Sequence, residues 1–92
     1  MFTLQIEKVT DADVESEVEL VRGIVFETDP ETGYKSIVDI AEMPREGAEH
    51  MLAAIAGNFD NCFLAYENTF RTNFGRATSM RTMIRKIVEQ LP

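Results

Sequence analysis

The chain has 92 residues, of which 45% are hydrophobic and 27% charged, and its formal net charge is −7. Such a chain makes one domain with a modest core, and its composition is that of a folded protein. The acidity argues against nonspecific binding to free nucleic acid, which phosphate attraction dominates, and the single cysteine excludes an internal disulfide.

Phe2, Leu4 and Ile6 alternate with Thr3, Gln5 and Glu7, which predicts a half-buried strand. The same opening residues lack the basic start and long apolar core of a signal peptide, so a cytoplasmic protein is expected. Thr10 to Asp13 is polar and turn-prone. Val14, Ser16, Val18 and Leu20 then alternate with Glu15, Glu17 and Glu19, and apolar residues continue to Phe26. This predicts a second strand over about residues 14–28, with Gly23 as a bulge. A helix opening at Thr10 competes for residues 11–20, but the β-branched residues favour the strand.

Asp29-Pro30-Glu31-Thr32-Gly33 is a turn signal, with proline presetting the first turn position and glycine supplying a positive φ. Tyr34 to Ile40 follows as a third strand rich in β-branched residues. Met43-Pro44-Arg45-Glu46 ends the sheet, and proline suits the first turn of a helix. Ala48, Met51, Leu52, Ile55, Phe59, Cys62, Phe63, Tyr66, Phe70 and Phe74 then recur at steps of three and four. That stripe predicts a long amphipathic helix between Arg45 and Phe74. Gly57-Asn58 either ends one helix, with Asp60 or Asn61 capping a second, or kinks a continuous one. Ser79 caps a last helix whose apolar face is Met80, Met83, Ile84, Ile87, Val88 and Leu91. The order predicts a single α+β domain over residues 1–92, a three-stranded antiparallel β-meander packed against C-terminal helices.

Charge is divided unevenly along this chain. Residues 1–49 hold thirteen of the sixteen acids, whereas Arg71, Arg76, Arg81, Arg85 and Lys86 follow Glu67 with no acid among them before Glu89. On a strand, Glu15, Glu17 and Glu19 project from one face at a spacing of about 6.8 Å, too spread for one metal ion. They read either as a solvated face that keeps the sheet soluble, or as an acidic row facing a basic partner. Arg81 and Arg85 are one helical turn apart with Lys86 beside them, and Arg71 and Arg76 precede them near Phe70 and Phe74. They read either as the solvated edge of a core stripe, or as a basic face for phosphate or carboxylate groups, with the phenylalanines able to stack a base.

No residue pattern points to catalysis, a cofactor or a metal. His50 has no sequence-placed nucleophile and reads as a surface histidine. Cys62 lies on the apolar stripe as a small core residue. The glycines at 23, 33, 47, 57 and 75 are too scattered for a phosphate loop. The longest apolar run, Met51 to Ala56, is too short to span a bilayer. Three functions remain: a non-enzymatic inhibitor or adaptor docking on a larger complex, a small regulatory nucleic-acid-binding protein using the basic segment, and a small enzyme with a carboxylate site. The first needs only a folded, charge-patterned surface and is preferred. Two long helices compete for one sheet, which leaves apolar surface for a partner or a homodimer.

In length, acidity and element order, with Glu15, Glu17 and Glu19 set against Arg81, Arg85 and Lys86, the chain resembles small phage-encoded anti-CRISPR proteins. Among these it is most similar to inhibitors of type I surveillance complexes. The resemblance covers the whole chain as outline; that group shares no diagnostic motif, so no functional residue carries over. It implies a protein that binds a multisubunit ribonucleoprotein complex in the host cytoplasm and blocks target-DNA binding. The acids would then face basic protein surface, and the arginines would face guide RNA or an acidic partner.

Overall fold

Strand β1 runs over Phe2–Lys8, β2 over Leu20–Thr28 and β3 over Lys35–Pro44. The computed structural model describes residues 1–10, 18–66 and 79–92. β1 and β2 pair antiparallel, as do β2 and β3, giving the meander expected from the alternating pattern. The turn between β2 and β3 closes as its residues dictate. Asp29 Oδ1 accepts the Glu31 and Thr32 amides at 2.8 and 3.3 Å, the Gly33 amide reaches the Asp29 carbonyl at 2.9 Å, and Gly33 has φ 73°. A side chain at that φ would strain the turn, which is why glycine serves there.

Among the described residues the sheet has four strands, not three. Helix α1 spans Ala48–Ala56 and stops at Gly57, so the predicted helix between Arg45 and Phe74 is not continuous. Asn61, at φ 53°, caps no second helix but turns the chain into strand β4, Phe63–Tyr66. β4 pairs parallel with β1, Thr3 opposite Phe63 and Leu4 opposite Leu64, and the strand order is β3-β2-β1-β4. Cys62, Phe63 and Tyr66 had kept helical phase with the stripe. The competing gain was a place beside β1, which satisfies backbone groups of both strands. The result is a mixed sheet with helices following the meander, an α+β domain.

Two further expectations are corrected. β2 begins at Leu20, and Val18 and Glu19 precede it outside the strand; Glu15 and Glu17 lie outside the described residues. Gly23 is not a bulge. It pairs in register with both Ile6 and Ala41. A Cβ built at Gly23 would stand 2.4 Å from Leu52 Cδ2 and 3.3 Å from Leu4 Cδ1, so glycine is there to let α1 approach the sheet. The irregularity lies instead between Val25 and Phe26, where β3 contributes the extra residue, Val38.

Helix α2 covers Met80–Gln90 and starts as its sequence predicts, with Ser79 Oγ accepting the Thr82 amide at 3.2 Å. Both helices lie on one face of the sheet. Leu4, Ile6, Val21, Val25 and Met43 from the strands meet Ala48, Leu52 and Ala56 of α1 and Ile84, Ile87, Val88 and Leu91 near or within α2 in one buried cluster. Full burial of such side chains contributes roughly 1.5–3 kcal/mol each before chain entropy is counted.

Among the described residues, no helix lies on the opposite sheet face. The register lays it out in rows across the strands: Ile37, Phe26, Thr3, Phe63; then Ile40, Ile24, Gln5, Ala65; then Glu42, Arg22, Glu7. One end of this face is apolar and the other is charged. Among the described residues, no helix is long and apolar enough to cross a membrane.

Candidate partner-binding cleft

α2 spends its apolar stripe on the core, so its other side faces out. Arg81, Arg85 and Lys86 are all exposed. α1 packs alongside and brings His50 and Glu49 to the same place. His50, Glu49, Arg81, Thr82 and Arg85 together line a cleft of about 140 Å³ between the helices. Thr82 is fixed at its mouth by the cap, its hydroxyl 2.9 Å from Ser79 Oγ. Glu49 Oε1 is 3.6 Å from His50 Nε2, so the one acid of the cleft is shared with the histidine when that is protonated. Arg81 and Arg85 have no hydrogen-bond or ion-pair partner among the described residues. Two guanidinium groups one helical turn apart, with an imidazole across from them, offer forked donors to a phosphate or carboxylate.

A second groove, about 470 Å³, adjoins the first and shares Glu49 and Arg85 with it. Its other charged residues are Glu19, Arg45, Glu46 and Glu89. Arg45 is already engaged through both terminal nitrogens. Its Nη2 donates to the carbonyls of Val88 at 2.9 Å and Leu91 at 2.8 Å, and its Nη1 reaches Glu19 Oε2 at 3.2 Å. It thus adds a side-chain donor to carbonyls at the end of α2, where Val88 also accepts the Leu91 amide at 3.3 Å. Glu19 also faces Lys8 at 4.0 Å.

The sequence-predicted site residues fall as follows. Arg81 and Arg85 come together in the cleft; Lys86 is exposed nearby but does not line it. Glu19 is not across the molecule from these arginines, because it lines the groove that also holds Arg85. Glu15, Glu17, Arg71 and Arg76 lie outside the described residues, as do Phe70 and Phe74. His50, Glu49 and Thr82 were missed as members of the site. For His50 no local signal existed, since Arg81, Thr82 and Arg85, which it meets in the cleft, come from a different helix.

A further groove, about 870 Å³, lies beside the C-terminal end of α1 and the start of α2 and is mainly apolar, with Phe2, Ala53, Ala56, Phe59, Cys62 and Met80 in its wall. The Phe2 and Phe59 rings pack there with centroids 5.0 Å apart. Burial pushes the Cys62 thiol up, with the Leu4 backbone pulling slightly the other way. Among the described residues no group of three or more His, Cys, Asp and Glu side chains is gathered for a metal ion.

No family model, curated protein or solved structure matches the chain.

Proposed function

We propose that this chain is a non-enzymatic inhibitor or adaptor that docks on a larger complex, and specifically an anti-CRISPR protein that binds a type I surveillance complex and blocks its binding of target DNA. The observation that supports the reading is the pair Arg81 and Arg85, exposed beside His50 and unengaged among the described residues, while the rest of the protein is strongly acidic. Arginines in such a cleft suit an isolated phosphate of guide RNA or a carboxylate of a protein surface. Glu46, Glu49 and Glu89 stand around the arginines. They repel an extended phosphate backbone and favour a partner that presents few anionic groups amid basic ones. The acidic N-terminal half, with Glu19 next to the cleft, then meets basic protein surface that otherwise holds DNA.

The test is target-DNA binding by purified type I surveillance complexes with and without excess of this protein. Loss of DNA binding together with co-elution of the protein and the complex is the expected result. Neither effect in any complex overturns the reading. Retention of RNA alone by the purified protein assigns it instead to the small regulatory nucleic-acid-binding proteins.

A further inference from the structure

The free edge of the sheet carries an inference independent of the charged cleft. Among the described residues β3 lies at the edge of the sheet, and two backbone bonds fix which of its residues turn toward β2. At one end the Asp29 amide donates to the Tyr34 carbonyl at 2.9 Å, and at the other the Arg45 amide donates to the Glu19 carbonyl at 2.9 Å. Antiparallel strands alternate inward and outward from each such bond. Counting from both ends, Ser36, Asp39, Ala41 and Met43 face β2, while Lys35, Ile37, Ile40 and Glu42 turn their backbone groups to the free edge. The two counts differ in phase by one residue and meet at Val38, the extra residue opposite Val25 and Phe26.

That extra residue has a consequence for the side chains. In a regular strand, Ile37 and Ile40 would sit on opposite faces. Here they pair with Phe26 and Ile24 and share the helix-free face, 58% and 54% exposed. The free edge therefore reads base, isoleucine, isoleucine, acid: Lys35, Ile37, Ile40, Glu42. Run antiparallel, this series is its own complement.

We infer that two copies of the chain pair β3 to β3 about a two-fold axis, joining two four-stranded sheets into one of eight. Each Ile37 lies opposite Ile40 of the second copy, and each Lys35 opposite Glu42 of the second copy. All four pairs use outward backbone groups, which gives about eight hydrogen bonds. The isoleucines extend the row begun by Ile24 and Phe26, so the apolar end of the helix-free face becomes continuous across the axis. Any extended peptide can bond an open edge, but only an antiparallel copy matches the order of charge and apolar residues at both ends. Pro44, with no N–H to offer, ends the ladder. In the single chain Asp39 Oδ1 covers the Ile40 amide at 2.9 Å, a bond that pairing replaces with a carbonyl of the second copy.

Analytical ultracentrifugation across a wide concentration range tests this. The wild-type chain is expected to be a dimer at high concentration, and Ile37→Lys a monomer with an unchanged circular dichroism spectrum. Lys35→Glu and Glu42→Lys should each weaken the dimer by at least about tenfold, since like charges then face each other, and the double variant should recover most of that loss. A wild-type chain that stays monomeric throughout, or a dimer indifferent to Ile37→Lys, overturns the interface. A double variant no tighter than its single parents overturns the register.

Discussion

Four arginines of this domain divide into two pairs by what surrounds them. Arg22 lies between two carboxylates on the helix-free face, 3.2 Å from Glu7 and 2.9 Å from Glu42. Arg45 ties the end of β3 to the end of α2 through Val88, Leu91 and Glu19. Arg81 and Arg85 have no such partners among the described residues and project from the side of α2 that the core does not use. The same side chain thus does two jobs. Where it is bonded to carbonyls and carboxylates of the fold, it holds the fold; where nearby groups do not bond it, its donors remain for something outside.

Arg45→Ala should separate the two pairs most widely. It removes several charge-assisted hydrogen bonds to partly buried carbonyls, and a loss of about 2–3 kcal/mol is expected in urea denaturation. Arg45→Lys should recover only part, because an ammonium group cannot fork across the Val88 and Leu91 carbonyls. A loss below about 0.5 kcal/mol for Arg45→Ala breaks the comparison, since Arg45 would then be no more structural than a surface charge. Arg22→Ala should cost less, about 1 kcal/mol or under, and the difference should shrink in high salt, because its pairs are near solvent. Arg81→Glu with Arg85→Glu should change stability by no more than about 0.5 kcal/mol. A larger loss places these arginines in the fold and removes them from the partner surface.

Cys62 sharpens the reading of the Arg45 variant. Burial raises its thiol pKa, so the thiolate that reacts with a disulfide reagent is scarce in the folded chain at mildly alkaline pH. Slow labelling is expected in the native protein and fast labelling in urea. The same raised pKa means that the fold loses a little stability as pH climbs from the unfolded thiol's range through the folded one. If Arg45→Ala frays only the end of α2, Cys62 labelling in water stays slow. If the whole domain opens more often, labelling speeds up in proportion to the lost stability.

Much of this fold is legible residue by residue. Period-two alternation marks β1, the Asp29–Gly33 pentapeptide marks the hairpin, and Ser79 marks the start of α2. β4 is not legible, because four residues give too little alternation to outweigh a helical stripe running through them in phase. Its partner is the far end of the chain, and a parallel pairing to β1 leaves no local trace. Gly23 shows a second limit. Glycine inside a strand signals either a bulge or a close approach, and only the position of Leu52 decides between them. The real irregularity, at Val38, carries no glycine and has no sequence mark. Of the candidate site, the two arginines were visible as a helical repeat. The histidine and acid that complete the cleft come from α1 and required the packing of one helix on the other.

The most direct measurement of the central claim is the affinity of a captured partner complex for the wild-type chain and for the Arg81→Glu, Arg85→Glu double variant, compared at one salt concentration. The account predicts at least about a hundredfold weaker binding by a variant that unfolds at the same urea concentration, since two charge-assisted contacts would be lost and reversed. Equal affinity of the two proteins would contradict it and move the contact surface elsewhere on the domain.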